Sequence, residues 1–336
     1  MARGLRRREL LAIVVAGCTI LLAAIANRGT VAPSVEEYYT SRESRLGYWL
    51  LLGNARHCGF WEAGIVWPFP LGRAQRAMEE KLWQRLRLDN GSRVLDAGAG
   101  SGVVASYMAQ KGLLVEGVDL TPMHVADAQR VIRARGLEQQ VSVRLGDYHD
   151  LPDADFHDAS FDGIYTMETF VHADDPRKVL LNFYRLLRPG GVLVLHEADF
   201  HWDSEVLQEV LRLSHCQNTL KEGTYEDLLQ DAGFKDIELE DYTDNVLPLW
   251  RLFGVIGAIP YDLMSLFGLQ KRFTNVMAGV EAYRHWDQGR YISVRAVKPG
   301  GRVCRQGSFA VHEYIWGSLD EVPARSGAGV VLPLCQ

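Results

Sequence analysis

The stretch Arg93-Val94-Leu95-Asp96-Ala97-Gly98-Ala99-Gly100-Ser101-Gly102 constrains the fold more than any other part of the chain. Val94 and Leu95 read as a buried strand. Gly98, Gly100 and Gly102 read as a tight turn leading into a helix. Glycine lets the backbone turn sharply and lets a ligand lie against it with no Cβ in the way. A second apolar strand follows, Leu113-Leu114-Val115-Glu116-Gly117-Val118, closed by Asp119. A carboxylate at that place accepts both hydroxyls of a ribose. Strand, glycine turn, helix, strand and acid together describe a nucleoside-cofactor site. The plainer alternative is an ordinary glycine turn in an α/β domain.

Two nucleosides compete for this site. A dinucleotide site requires G-x-G-x-x-G, with the helix N-terminus facing a pyrophosphate. Here the spacing is G-x-G-x-G, and Val103 occupies the place of the third glycine of that motif. Asp96 precedes the turn, where its carboxylate suits an ammonium and repels a pyrophosphate. S-adenosylmethionine carries an ammonium and a sulfonium but no phosphate, so the charge pattern favours it.

The region after the motif alternates strand and helix, which predicts a doubly wound, mostly parallel seven-stranded α/β sheet with helices on both faces. The expected strands are Arg93–Asp96, Leu114–Asp119, Val141–Leu145, Phe161–Thr166, Val192–His196, Asp236–Asp241 and Tyr291–Val297. The expected organisation is an N-terminal anchor or targeting segment over 1–30, an aromatic lid and helix over 31–90, a cofactor-binding domain over 91–298 and a tail over 299–336. Within the domain, residues 242–290 form an apolar insertion where a tight hairpin would suffice. Pro248, Gly254, Gly257 and Pro260 interrupt it too often for a bilayer span. It reads first as a substrate cap, then as an interfacial segment or an extra helical layer.

Net charge is −6, with no basic tract in the body of the chain, which argues against nucleic acid as partner. Cys18, Cys58, Cys216, Cys304 and Cys335 are scattered without metal-ligand spacing, so no metal is expected. At the N-terminus Arg3, Arg6, Arg7 and Arg8 precede an uncharged run from Leu10 to Ala26. As a helix this run reaches roughly 26 Å, enough for a thin bilayer. A single-pass membrane anchor, in the endoplasmic reticulum, is the first expectation. A signal peptide cleaved after Ala24-Ile25-Ala26, a mitochondrial presequence and a buried core helix are the alternatives. Orientation stays open.

The chain resembles the class I S-adenosylmethionine-dependent methyltransferases, in the branch of the sterol C-24 and ubiquinone/tocopherol methyltransferases that includes fungal natural-product methyltransferases. The resemblance runs from about Val35 to Val297. It is carried by Val94 to Gly102, Gly117-Val118-Asp119, Gly146-Asp147, Phe161-Asp162-Gly163-Ile164-Tyr165 and Leu187-Arg188-Pro189-Gly190-Gly191. Such proteins usually have Gly-Cys-Gly where this chain has Gly98-Ala99-Gly100. The resemblance implies that Asp96 and the backbone of Gly98, Gly100 and Gly102 hold the methionine end. It implies that Asp119 takes the ribose and Asp147 the adenine amine. Gly146 would allow close approach, with Leu120 or Tyr148 against the ring. It also makes the aromatic region a substrate lid, with Tyr39, His57 and Trp61 as pocket candidates.

The segment after the fourth strand lies at the carboxyl edge of the sheet, where ligands of open α/β folds bind. Glu168 and His172 are the candidate catalytic residues there, His172 as a base toward an O–H or N–H acceptor. The alternative has His172 only hydrogen-bonding the loop and Glu168 touching only the cofactor. The resulting expectation is a methyltransferase acting on a lipophilic small molecule at O, N or C. Two rivals stay open: a catalytically silent cofactor-binding regulator and a nucleotide-dependent oxidoreductase.

Overall fold

The computed structural model describes residues 34–53, 55–200, 204–216 and 224–300. The expected anchor at Leu10–Ala26 and residues 301–336 of the expected tail lie outside the described residues.

The strands are β1 (Arg93–Ala97), β2 (Leu114–Asp119), β3 (Val141–Leu145), β4 (Phe161–Met167), β5 (Leu187–Phe200), β6 (Lys235–Asp241) and β7 (Gly289–Val297). They form one sheet in the order β3-β2-β1-β4-β5-β7-β6. Strands β1 to β5 pair in parallel. Strand β7 inserts antiparallel between β5 and β6. The expected Rossmann-like, mostly parallel seven-stranded sheet is therefore the architecture found. Strand order reverses between β1 and β4, and this switch point opens a crevice at their carboxyl ends.

Alternation along β1 explains the two cores. Val94 packs with Leu82 and Leu86 of helix α3 (Leu71–Leu86), Met108 of α4 (Val103–Gln110) and Ile132 of α5 (Pro122–Arg135). Leu95 faces the opposite side with Val179 and Phe183 of α6 (Pro176–Leu186) and Leu229 of α8 (Thr224–Asp231). Successive strand side chains point to opposite faces, so buried strands need apolar residues at both parities.

Ahead of α3 lie α1 (Val35–Thr40) and α2 (Arg42–Leu52), neither of which the aromatic pattern predicts. A capping box starts α1: the Ser34 hydroxyl accepts the Glu37 N–H and the Glu37 carboxylate accepts the Ser34 N–H. This S-x-x-E spacing is the local signal for a helix start. Helix α7 (Glu205–Leu213) follows β5.

The insertion between β6 and β7 contains α9 (Thr243–Leu266) and α10 (Thr274–Arg284). The expectation that prolines and glycines break it is corrected here. Pro248 and Pro260 lie inside one helix of 24 residues. Each proline removes one backbone hydrogen bond, and the helix packs along α10. Gly254 is a contact point rather than a break, since a Cβ there would fall 2.2 Å from the Tyr283 ring. Among the described residues α9 is the one helix long and apolar enough to cross a membrane, yet a third of its apolar window is buried in the protein.

Candidate functional site

The crevice at the switch point is a cavity of about 350 Å³. Asp96, Gly98, Gly100, Asp119, Leu120, Gly146, Asp147, Tyr148, Glu168, His172, Tyr39 and His57 all line it. Two expected site residues do not. Gly102 caps α4 in a left-handed conformation, and a Cβ there would meet Ala128 at 2.9 Å. It serves helix packing instead. Trp61 is core: its indole N–H donates to the Pro68 carbonyl at 3.2 Å, and it lines neither cavity described here.

The glycine turn is dictated by crowding. Gly98 has φ +97°, and a Cβ would lie 2.6 Å from the Thr169 side chain. Thr169 is itself fixed by donating its hydroxyl to the Ala97 carbonyl at 2.6 Å. At the end of β1, Asp96 is buried and accepts the Tyr165 hydroxyl at 3.0 Å. Burial pushes its carboxyl up to about 7. At the end of β2, Asp119 accepts N–H groups from Gly100 at 2.8 Å and Thr121 at 2.9 Å, with His124 Nδ1 at 3.0 Å. Burial pushes its pKa up, but the His124 contact and the two N–H groups outweigh this and hold it below the ordinary carboxylate value. Asp147 is held low chiefly by His149, whose backbone N–H and Nδ1 both contact Oδ1. The Tyr148 hydroxyl donates to the Thr169 carbonyl at 2.8 Å, which stands the ring at the cavity wall.

Beyond β4, a buried carboxylate that sequence reasoning missed shapes the chain. Glu197 of β5 accepts the Thr166 hydroxyl at 2.6 Å and the N–H groups of Phe170 at 3.0 Å and Val171 at 3.2 Å. These bonds fix the short 3₁₀ turn Phe170–His172. His172 Nδ1 lies 2.9 Å from the His215 carbonyl, an acceptor only, so Nδ1 carries the proton and Nε2 accepts the Tyr39 hydroxyl at 2.9 Å. Burial lowers the His172 pKa, and the ring is neutral. Glu168 adopts φ +57° and accepts the Cys58 N–H at 2.6 Å and the Tyr291 hydroxyl at 2.7 Å. Burial raises its pKa against the lowering effect of His57. For His57 itself, burial pulls the pKa down, but Glu79 and Glu168 outweigh it and the net shift is upward.

A second cavity of about 200 Å³ adjoins the first, lined by Tyr38 and Tyr48 from α1 and α2, Leu249, Trp250, Phe253, Ile256 and Met264 from α9, and Phe273. Its walls are mostly apolar, with Glu43, Ser44 and Asn275 as a polar patch. Arg56, His57 and Glu168 line both cavities. Sequence reasoning placed no site residue on α9. It read the apolar residues of 242–290 as a substrate cap without singling out any one of them.

The first cavity fits S-adenosylmethionine. The buried Asp96 carboxyl sits at its wall, where a carboxylate suits an ammonium. Ionised Asp119 suits ribose hydroxyls, and Gly98 leaves open backbone. The comparisons agree. The "Methyltransferase domain" family profile matches residues 71–239. "S-adenosyl-L-methionine-dependent Diels-Alderase iccD" of Talaromyces variabilis is 37% identical over 79% of this chain and 95% of its own length. "O-methyltransferase resE" of Aspergillus sclerotiorum is 32% identical over 58% of this chain and 74% of its own. The crystal structure of the [4+2]-cyclase SpnF superposes with TM-score 0.62 at 22% identity, covering 81% of this chain and 98% of that one. With its sheet, its glycine turn and its cofactor, S-adenosylmethionine, the chain belongs to the class I S-adenosylmethionine-dependent methyltransferase family.

Proposed function

We propose that this protein acts on an apolar small molecule held in the second cavity, and that it closes a ring in it by [4+2] cycloaddition. The observation that carries the reading is the apolar cavity sharing Arg56, His57 and Glu168 with the cofactor cavity. A relative at 37% identity over most of both chains is named a Diels–Alderase, which supports the chemistry. When bound, S-adenosylmethionine supplies an activated methyl group and a fixed positive charge. In a cycloaddition, π bonds are exchanged for σ bonds with no atom gained or lost and no proton moved. Two proton acceptors at or near the shared wall are already engaged, which suits such a step. Glu168 is held by Cys58 and Tyr291. His172 is held by Tyr39 and His215. The contribution of the chain is then to fold the substrate and exclude water, a gain of proximity and orientation.

Methyl transfer is the second reading, favoured by one contact. Neutral His172 accepts the Tyr39 hydroxyl through Nε2. A proton leaving an O–H or N–H acceptor at Tyr39 has a path to that nitrogen. The experiment incubates the full chain and S-adenosylmethionine with linear polyenes carrying a conjugated diene and a separate alkene, read by liquid chromatography and mass spectrometry. A new isomer of unchanged mass, with the cofactor unconsumed, supports cyclisation. A product heavier by one methylene, with S-adenosylhomocysteine released, replaces it with methyl transfer. No product across the panel removes cyclisation of such polyenes.

A further inference from the structure

The wall between the two cavities holds a strong donor to which the cofactor scheme gives no task. The Arg56 guanidinium lies between the rings of Tyr39 and Tyr48, its central carbon 5.6 and 5.2 Å from their centroids. Its Nε and Nη1 are buried and have no hydrogen-bond partner among the described residues. The polar patch of the apolar cavity, by contrast, satisfies itself. Tyr38 donates to Asn275 Oδ1 at 2.6 Å, Asn275 Nδ2 donates to Ser44 at 2.9 Å, and Glu43 accepts the Asn275 N–H at 3.0 Å. The Arg56 Cδ lies 3.3 Å from where a Cβ on Gly100 would be, so the side chain crosses the glycine turn. An arginine stays charged at all working pH, and its buried N–H groups are costly until an acceptor meets them. Two aromatic faces hold the fork in place while its donors wait.

We infer that Arg56 is a ligand-binding residue whose guanidinium takes a carboxylate or carbonyl oxygen at the junction of the two cavities. That oxygen has two possible sources. One is the carboxylate of the cofactor's amino-acid end. The other is an oxygen on the apolar substrate, and this source rests on the function proposed above. It would define the substrate class as a long apolar molecule with a carbonyl or carboxyl group at the end beside the cofactor.

The test uses the full chain, wild type and as Arg56→Gln and Arg56→Lys, with thermal unfolding to verify the fold of each. Calorimetry compares S-adenosylhomocysteine with 5′-methylthioadenosine, which lacks the amino-acid carboxylate. With S-adenosylhomocysteine bound, it then compares decanoate with decanol. Arg56→Gln is expected to weaken the carboxylate-bearing member of one pair by about tenfold or more, and its partner by about twofold or less. Arg56→Lys is expected to recover part of that loss. A selective loss in the nucleoside pair assigns Arg56 to the cofactor, and one in the decanoate pair assigns it to the substrate. Equal weakening within both pairs, or none in either, overturns the inference. Failure of both decanoate and decanol to bind the wild type counts against the apolar-cavity reading alone, since the nucleoside pair still decides Arg56.

Discussion

The two cavities meet at Arg56, His57 and Glu168 but are held in different ways. The cofactor cavity is framed by the ends of β1, β2 and β4, whose register the sheet fixes residue by residue. Asp96 and Asp119 sit where their strands end and are buried among hydrogen-bond donors. The apolar cavity is framed by α1, α2, α9 and the start of α10, which lie outside the sheet and rely largely on one another. Helix faces can change side chains without moving the strand ends. A fold built this way keeps one cofactor geometry while the ligand chamber varies.

If the division holds, damage to the cofactor side should be the most severe. Asp119→Asn keeps the side-chain volume and removes the charge that Gly100, Thr121 and His124 surround. The expected loss in S-adenosylhomocysteine affinity is about 2–3 kcal/mol by calorimetry. Unchanged affinity would take Asp119 out of the ribose site.

Protonation sharpens the comparison further. Asp96 and Glu43 titrate at about 7 in the fold, against ordinary values of 3.8 and 4.5. Their raised pKa values contribute stability that is present below the ordinary values and lost as pH rises through about 7. The ligand-free protein should therefore unfold at lower urea concentration at pH about 8 than at pH about 5.5, other groups being equal. Cofactor affinity should move the opposite way, because Asp96 must ionise to pair with an ammonium. Asp96→Asn should flatten the affinity profile. A profile of the same shape in that variant would assign the dependence elsewhere.

On the apolar side, Phe253→Ala should weaken an apolar ligand such as decanol by about 1–2 kcal/mol. It should leave S-adenosylhomocysteine binding unaltered, and loss of both would break the division. The smallest effect is expected for His172→Ala. Under cyclisation it should reduce turnover by about threefold or less, through loosening of Tyr39, with cofactor affinity unchanged. A drop of about a hundredfold in kcat would instead favour proton abstraction, and with it methyl transfer.

The same contrast explains what could be read from the sequence. Strand β1, the glycine turn and Asp119 lie within one βαβ unit whose chemistry depends on local spacing, so the cofactor is legible there, and the strand–helix alternation makes all seven strands legible. Gly102 does not line the cavity, and a pattern of glycines does not tell which one faces ligand and which one faces Ala128. Trp61 is buried and lines neither cavity, and an aromatic ring near a pocket has the same composition as a ring in the core. The cap region was read from its apolar residues, but not as one continuous helix α9, because its prolines and glycines read as interruptions, while Tyr283 and α10 pack against it. Arg56 was not singled out within the aromatic lid, since an arginine there acquires meaning only when Tyr39 and Tyr48 close around it.

The most direct measurement is a paired calorimetric titration of wild type, Asp119→Asn and Phe253→Ala with S-adenosylhomocysteine and, separately, with decanol in its presence. The account predicts that Asp119→Asn loses the first ligand, while Phe253→Ala keeps the first and loses the second. Binding of S-adenosylhomocysteine that survives Asp119→Asn but fails in Phe253→Ala would contradict the assignment of the two cavities.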